Sequence, residues 1–259
     1  MSGLSGGEQR FGGEQRFGGD DGSADPRAAA ALAAFASGTG TEHAALTSLA
    51  QSRLLVPVVA TLAEDPAGHD GVGAQPCAPG QHVTGTALRA ASSTDKASEM
   101  ALVTLIGADG RRAVPAFTSL AALTRWRPGA RPVPADAGAV WRAAVADSSA
   151  VVIDIAGPVP LAIEGARLAA LACGDAVPLP HQDPDVLHAV AAAVAAQPGG
   201  TRASLGPGEA GNDLMIHLAL PAGCDRARAD EIAGQVGASV MARLDGRLRR
   251  GLAVTVGLA

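Results

Sequence analysis

The chain has 259 residues, 47% of them hydrophobic, which is enough for one large domain or two small ones. Charged residues make up 17% and the net charge is −5, which excludes a basic nucleic-acid surface and, at this apolar content, a wholly disordered acidic chain. Three widely spaced cysteines, Cys77, Cys173 and Cys224, with no C-x-x-C, exclude a disulfide framework and point to a reducing cytoplasm.

The first 26 residues are Gly-rich and carry GGEQRF twice in tandem, which predicts a disordered low-complexity tail over 1–26. The N-terminus lacks the apolar core of a secretory signal. No apolar run reaches the ~20 residues of a membrane span. From Pro26 to Gln51 the Ala-rich pattern predicts two short helices broken at Gly38–Gly40. Leu54–Leu62 (LLVPVVATL) predicts a strand, with Pro57 placing it at an edge or a bulge. Glu64–Glu99 reads as a long loop with a short strand near His82–Leu88 and mobility around Asp65–Pro79.

Met100–Ile106, the turn GADGR and Arg112–Phe117 predict a hairpin, with Pro115 again at an edge or bulge. Thr118 or Ser119 would cap a helix running from Leu120 to Trp126. RPGARPVPAD reads as a connection to a helix over Ala137–Asp147, with Trp141 and Val145 on one face. Val151–Ile155 and Val159–Ile163 predict a second hairpin, and Asp154, opposite Ile153 and Ile155, would face solvent or a covering helix end. A short helix follows over Glu164–Cys173, and Gly174–Pro184 reads as a domain boundary.

The remainder predicts α-β-β-α-β: a helix over Asp185–Ala196, strands near Thr201–Leu205 and Leu214–Leu220, a helix over Arg226–Leu244 and a strand over Leu252–Leu258. Ile232, Val236, Val240 and Leu244 would line one face of the longer helix. The fold class is α+β: two layered units of mixed or antiparallel sheet covered by helices, over 27–175 and 185–259.

Tests for chemistry are negative. LSGGEQR at Leu4–Arg10 matches the signature loop of ABC-type ATPases, but the single lysine, Lys96, lies between Asp95 and Ala97, so no P-loop exists. There is no G-x-G-x-x-G after a strand, no H-E-x-x-H and no G-x-S-x-G. Cys77 and His82 lack further ligands at metal spacing. His217 reads as a half-exposed sheet histidine, and His181 and His188 as flanks of a helix start. No catalytic, cofactor or metal residue is assigned.

Four segments resemble a known family: RLLVPVVATL at Arg53–Leu62, DKASEMALVTLIGADGRRAVPAFTSLAALTRW at Asp95–Trp126, ARPVP at Ala130–Pro134, and AVVIDIAGPVPLAIEGARLAALACG at Ala150–Gly174. Together they resemble the N-terminal domain of the SseB family in its actinobacterial form. The resemblance implies a cytoplasmic α+β protein. The family is named for a serine-sensitivity phenotype and brings no catalytic residues with it.

The leading expectation is a non-enzymatic module that binds a protein partner or small ligand, without nucleic acid, membrane or cofactor. Its contact surface would comprise Asp95, Lys96, Thr118, Ser119 and Trp126, with an exposed edge strand at Leu54–Leu62 open to a partner strand. The alternatives are an enzyme or ligand sensor connected with amino-acid (serine) metabolism, and self-association as a homodimer.

Overall fold

The computed structural model describes residues 19–62, 82–87, 98–108, 110–157, 160–209, 211–244 and 246–258, with backbone alone at 59–62, 82–87, 98–102 and 258. The chain order is α1 (Pro26–Ala36), α2 (Glu42–Leu49), β1 (Arg53–Leu62), β2 (His82–Ala87), β3 (Ser98–Ile106), β4 (Arg112–Ala116) and α3 (Leu120–Trp126). Then come β5 (Arg131–Asp136), α4 (Ala137–Ala146), β6 (Ala150–Ile153), β7 (Leu161–Ile163) and α5 (Gly165–Cys173). After a 3-10 turn at Pro180–Gln182 follow α6 (Pro184–Ala195), β8 (Arg202–Pro207), β9 (Leu214–Leu220), α7 (Arg226–Arg243) and β10 (Leu252–Leu258). The fold is α+β, as the residue pattern implies. The region of expected mobility, Asp65–Pro79, lies outside the described residues.

The strands form a seven-stranded mixed sheet in the order β5-β1-β3-β4-β6-β7, with β2 also on β3, and a three-stranded sheet in the order β10-β9-β8. The two expected hairpins are present as β3–β4 and β6–β7. β4 and β6 run parallel, so the chain must cross over between them, through α3, β5 and α4.

β1 is an interior strand rather than an edge, and its proline has another role. Leu55 and Phe117 exchange both backbone hydrogen bonds, at 2.7 and 2.8 Å, in an isolated antiparallel bridge. Extending that register by two residues sets Pro57 opposite Pro115. Neither has an N–H, so the β1–β4 ladder stops after one pair. Beyond Pro57, β1 pairs with β3 from Val58 onward.

From Leu54 to Val58, β1 is buried on both faces. Leu54 and Val56 join the main core with Trp141, Ile153, Ile163, Leu168 and Leu171. Leu55, of opposite parity, joins a small second core with Phe117, Leu123 and Ala130 under α3. A strand covered on both sides has no need to alternate, which accounts for the unbroken apolar run over Leu54–Val58.

Two sequence expectations are corrected here. RPGARPVPAD is largely a strand, β5, paired with β1 from Arg53↔Asp136 to Val58↔Arg131. Its prolines, Pro132 and Pro134, are two apart, so both donor-less nitrogens point the same way, which an outer strand tolerates. In α4 the buried face is Ala137, Val140, Trp141 and Ala144, whereas Val145 is 44% exposed. At 100° per residue, a step of four overshoots a turn by 40°, and a stripe continued only by fours drifts off the core.

In the smaller sheet Leu214, Ile216, Leu218 and Leu220 point to one side, against Val186 and Val190 of α6 and Ile232, Val236 and Val240 of α7. Leu244, just past α7, is buried as its spacing implies. Gly237 lets α7 approach β10: a Cβ there would lie 3.5 Å from Leu252 and Val254. β8–β9 is antiparallel but β9–β10 is parallel, because α7 carries the chain back before β10 begins.

Candidate partner-binding corner

The parallel strands β4 and β6 end side by side, and the chain leaves both at one corner. After β4, Phe117 turns inward and Thr118 and Ser119 lead into α3. Ser119 caps the helix, its Oγ accepting from the Ala122 N–H at 3.1 Å. Thr118, the other candidate cap, has a different task. It is buried, and both its N–H and its hydroxyl donate to the Asp154 carboxylate, at 2.9 and 2.7 Å.

Asp154 therefore meets the start of α3, the helix-end alternative of the expectation, through the residue that precedes the Ser119 cap. It is not part of β6. Its backbone is left-handed at φ 47°, and the Gly157 N–H donates to its carbonyl at 2.6 Å. Asp tolerates the left-handed region better than most residues, because its short side chain bonds locally. Burial raises the carboxyl above its ordinary value, while the two Thr118 bonds and Arg125 oppose the rise.

Trp126, at the end of α3, packs on Phe117 with ring centroids 5.4 Å apart and tilted by 32°. Between α3 and the segment 21–24 runs an open groove of about 790 Å³, lined by Ser119, Leu120, Ala121, Thr124 and Arg125 on the helix side. Leu120 is 42% exposed on its rim. The corner thus brings Thr118, Ser119 and Trp126 into one neighbourhood, with Thr118 beneath the surface and Ser119 and Trp126 partly exposed. Asp95 and Lys96, the other two expected contact residues, lie outside the described residues.

A second polar cluster is absent from the sequence reading. Glu42 of α2 pairs with Arg167 of α5, and with Arg247 beyond α7 at 3.3 Å; Arg247 also pairs with Asp183, the cap of α6, at 2.5 Å. All four side chains are at most 12% exposed, and their charges sum to zero. Burial raises the Glu42 carboxyl, against the pull of both guanidiniums. Burial lowers Arg167. It would lower Arg247 too, but Glu42 and Asp183 outweigh it and hold that guanidinium above its usual value.

Two further contacts cross the same junction. Arg249 stacks over the Phe35 ring, 5.5 Å from its centroid. Asp185 of α6 accepts the Ala166 N–H of α5 at 3.0 Å, in space that a Cβ on Gly165 would fill. The sequence signal for this cluster is Arg167, a charge within the otherwise apolar GARLAALAC. That signal demands a buried partner without naming one.

His217 is exposed on β9, its Nδ1 2.7 Å from Thr255 Oγ1 on β10. Among the described residues no group of three His, Cys, Asp or Glu side chains could hold a metal. No described helix is long and apolar enough to cross a membrane.

Comparison with known families matches the SseB protein N-terminal domain over residues 29–170, more than half of the chain. The chain belongs to the SseB family. The match runs from within α1 to within α5 and so contains the whole seven-stranded sheet and the α3 corner. Glu42 and Arg167 fall inside the SseB region, while Asp183 and Arg247 lie beyond it. Comparisons with curated proteins and with solved structures give no match.

Proposed function

We propose that this SseB-family chain is a non-enzymatic binding module that recognises a protein partner through the α3 corner. The observation that carries the reading is the open groove beside α3, with Leu120 exposed on its rim and Trp126 braced from below by Phe117. An exposed aliphatic side chain on the rim of a groove and a braced aromatic elsewhere on the same helix give contact area at small entropic cost. The Thr118 hydroxyl directs its proton to Asp154 and acts as a positioning group for the β4–α3 turn. Ser119 and Trp126 supply the contact, with Asp95 and Lys96 as further contributors.

The test is affinity capture from native lysate with the wild-type chain and with Leu120→Asp. The substitution places a charge on the rim without touching the core. The reading predicts a reproducible partner that Leu120→Asp loses; recovery of the same proteins by both chains would contradict it.

Asp154 favours a second reading, a ligand sensor or enzyme connected with amino-acid metabolism. A half-buried carboxyl with a raised pKa and a left-handed backbone, at the carboxyl ends of parallel strands, is a common setting for a ligand contact. A thermal-shift screen with amino acids separates the two. A stabilising amino acid whose effect disappears in Asp154→Asn supports the sensor.

A further inference from the structure

The segment 20–23, placed by composition in the low-complexity tail, is bound to the corner by a clamp built on Arg53. Arg53, the first residue of β1, is only 14% exposed. Its Nε and Nη2 grip the two oxygens of Asp20, each at 2.7 Å. Nη2 also donates to the Ser23 carbonyl, and Nη1 to the Thr118 carbonyl at 3.2 Å. The Leu120 N–H donates to the Gly22 carbonyl at 2.7 Å. Gly22 has φ +77°, and a Cβ there would come within 3.0 Å of Leu120 Cβ. Asp20 and Gly22 thus each have a counterpart: a fork for the carboxylate, a donor for the Gly22 carbonyl, and a slot too tight for a side chain, while the Ser23 hydroxyl bonds Asp21 within the segment.

The segment itself is Asp-Asp-Gly-Ser and brings no large apolar side chain. Its hydrogen bonds and ion pair are polar contacts, which exchange readily with those of a competing segment.

We propose that Asp20–Ser23 is a latch bound in cis, and that the Arg53 clamp receives an acidic Asp-x-Gly turn of a partner protein when the latch is displaced. This rests on the binding reading above and names the chemistry of the partner. A short tether gives the latch an effective concentration near the millimolar range, so a partner in trans meets strong competition until the latch loosens.

The test uses the full chain and a fluorescein-labelled peptide of residues 19–25, Gly-Asp-Asp-Gly-Ser-Ala-Asp, read by fluorescence anisotropy. Asp20→Ala and Gly22→Ala each change the latch and leave the clamp intact. Both variants should bind the peptide at least about tenfold more tightly than the wild type. Arg53→Lys added to Gly22→Ala should abolish that binding, because lysine lacks the planar fork. Melting curves confirm that each variant is folded. Latch variants that bind no more tightly than wild type, or binding that survives Arg53→Lys, overturn the proposal. If these fail while Leu120→Asp still loses its captured partner, the corner is a binding site without a latch.

Discussion

Glu42 and Asp154 are both carboxylates withdrawn from water, yet they are compensated in opposite ways. Asp154 meets one neighbour 36 residues away, Thr118, which supplies an amide and a hydroxyl inside the larger sheet. Glu42 meets two guanidiniums 125 and 205 residues away, and through Arg247 is tied to Asp183. The first arrangement fixes a turn. The second fastens the smaller sheet with its helices onto the SseB domain. A buried ion pair contributes little net stability when intact, but losing one partner strands the other, so such a cluster specifies a geometry more than it strengthens a fold.

The comparison predicts the largest loss for Glu42→Ala. Two arginines would remain buried without their shared counter-ion, at a cost of about 3–5 kcal/mol. Urea denaturation measures it, and a loss below ~1 kcal/mol would show that the junction tolerates open charges. Asp154→Ala comes next. It orphans the Thr118 amide and hydroxyl, each worth about 1–3 kcal/mol if left unbonded. Asp154→Asn should be far milder, since the amide can accept from one Thr118 group, donate to the other, and tolerate the left-handed backbone.

The pH dependence sharpens the same point. The folded Asp154 carboxyl titrates above its ordinary 3.8, so the folded chain holds that proton more tightly than the unfolded chain does. The stability from this proton is complete below the ordinary value and is lost as pH rises through the raised one. The margin of wild type over Asp154→Asn should therefore shrink from about pH 4 towards neutrality. Denaturation curves for both chains across that range check the sign; a margin that grows with pH contradicts the assignment. The smallest effect belongs to Arg226→Ala on α7, whose partner Asp230 sits one turn away in full solvent. Its loss should be about 0.3–0.5 kcal/mol and fade with added salt.

What the sequence revealed follows the range of the interactions. The alternation of Leu214–Leu220 and the spacing of Ile232, Val236 and Val240 are local, and both faces are where periodicity places them. The cap at Ser119 was legible for the same reason. β5 was not, because Pro132 and Pro134 read as breakers until the strand is known to be an outer one. The pairing of Asp154 with Thr118 comes with a left-handed backbone that no alternation rule contains. The Glu42 cluster and the Arg53 clamp join charges far apart in the chain, and one sequence does not say which arginine meets which acid.

Site-specific photocrosslinking addresses the binding corner most directly. A benzophenone side chain placed at Leu120, on the groove rim, is compared with one at His217, on the open face of the smaller sheet. The account predicts a discrete covalent adduct with one protein from position 120 and none from position 217. Adducts from position 217 alone, or none from either position in cells where capture succeeds, would contradict it.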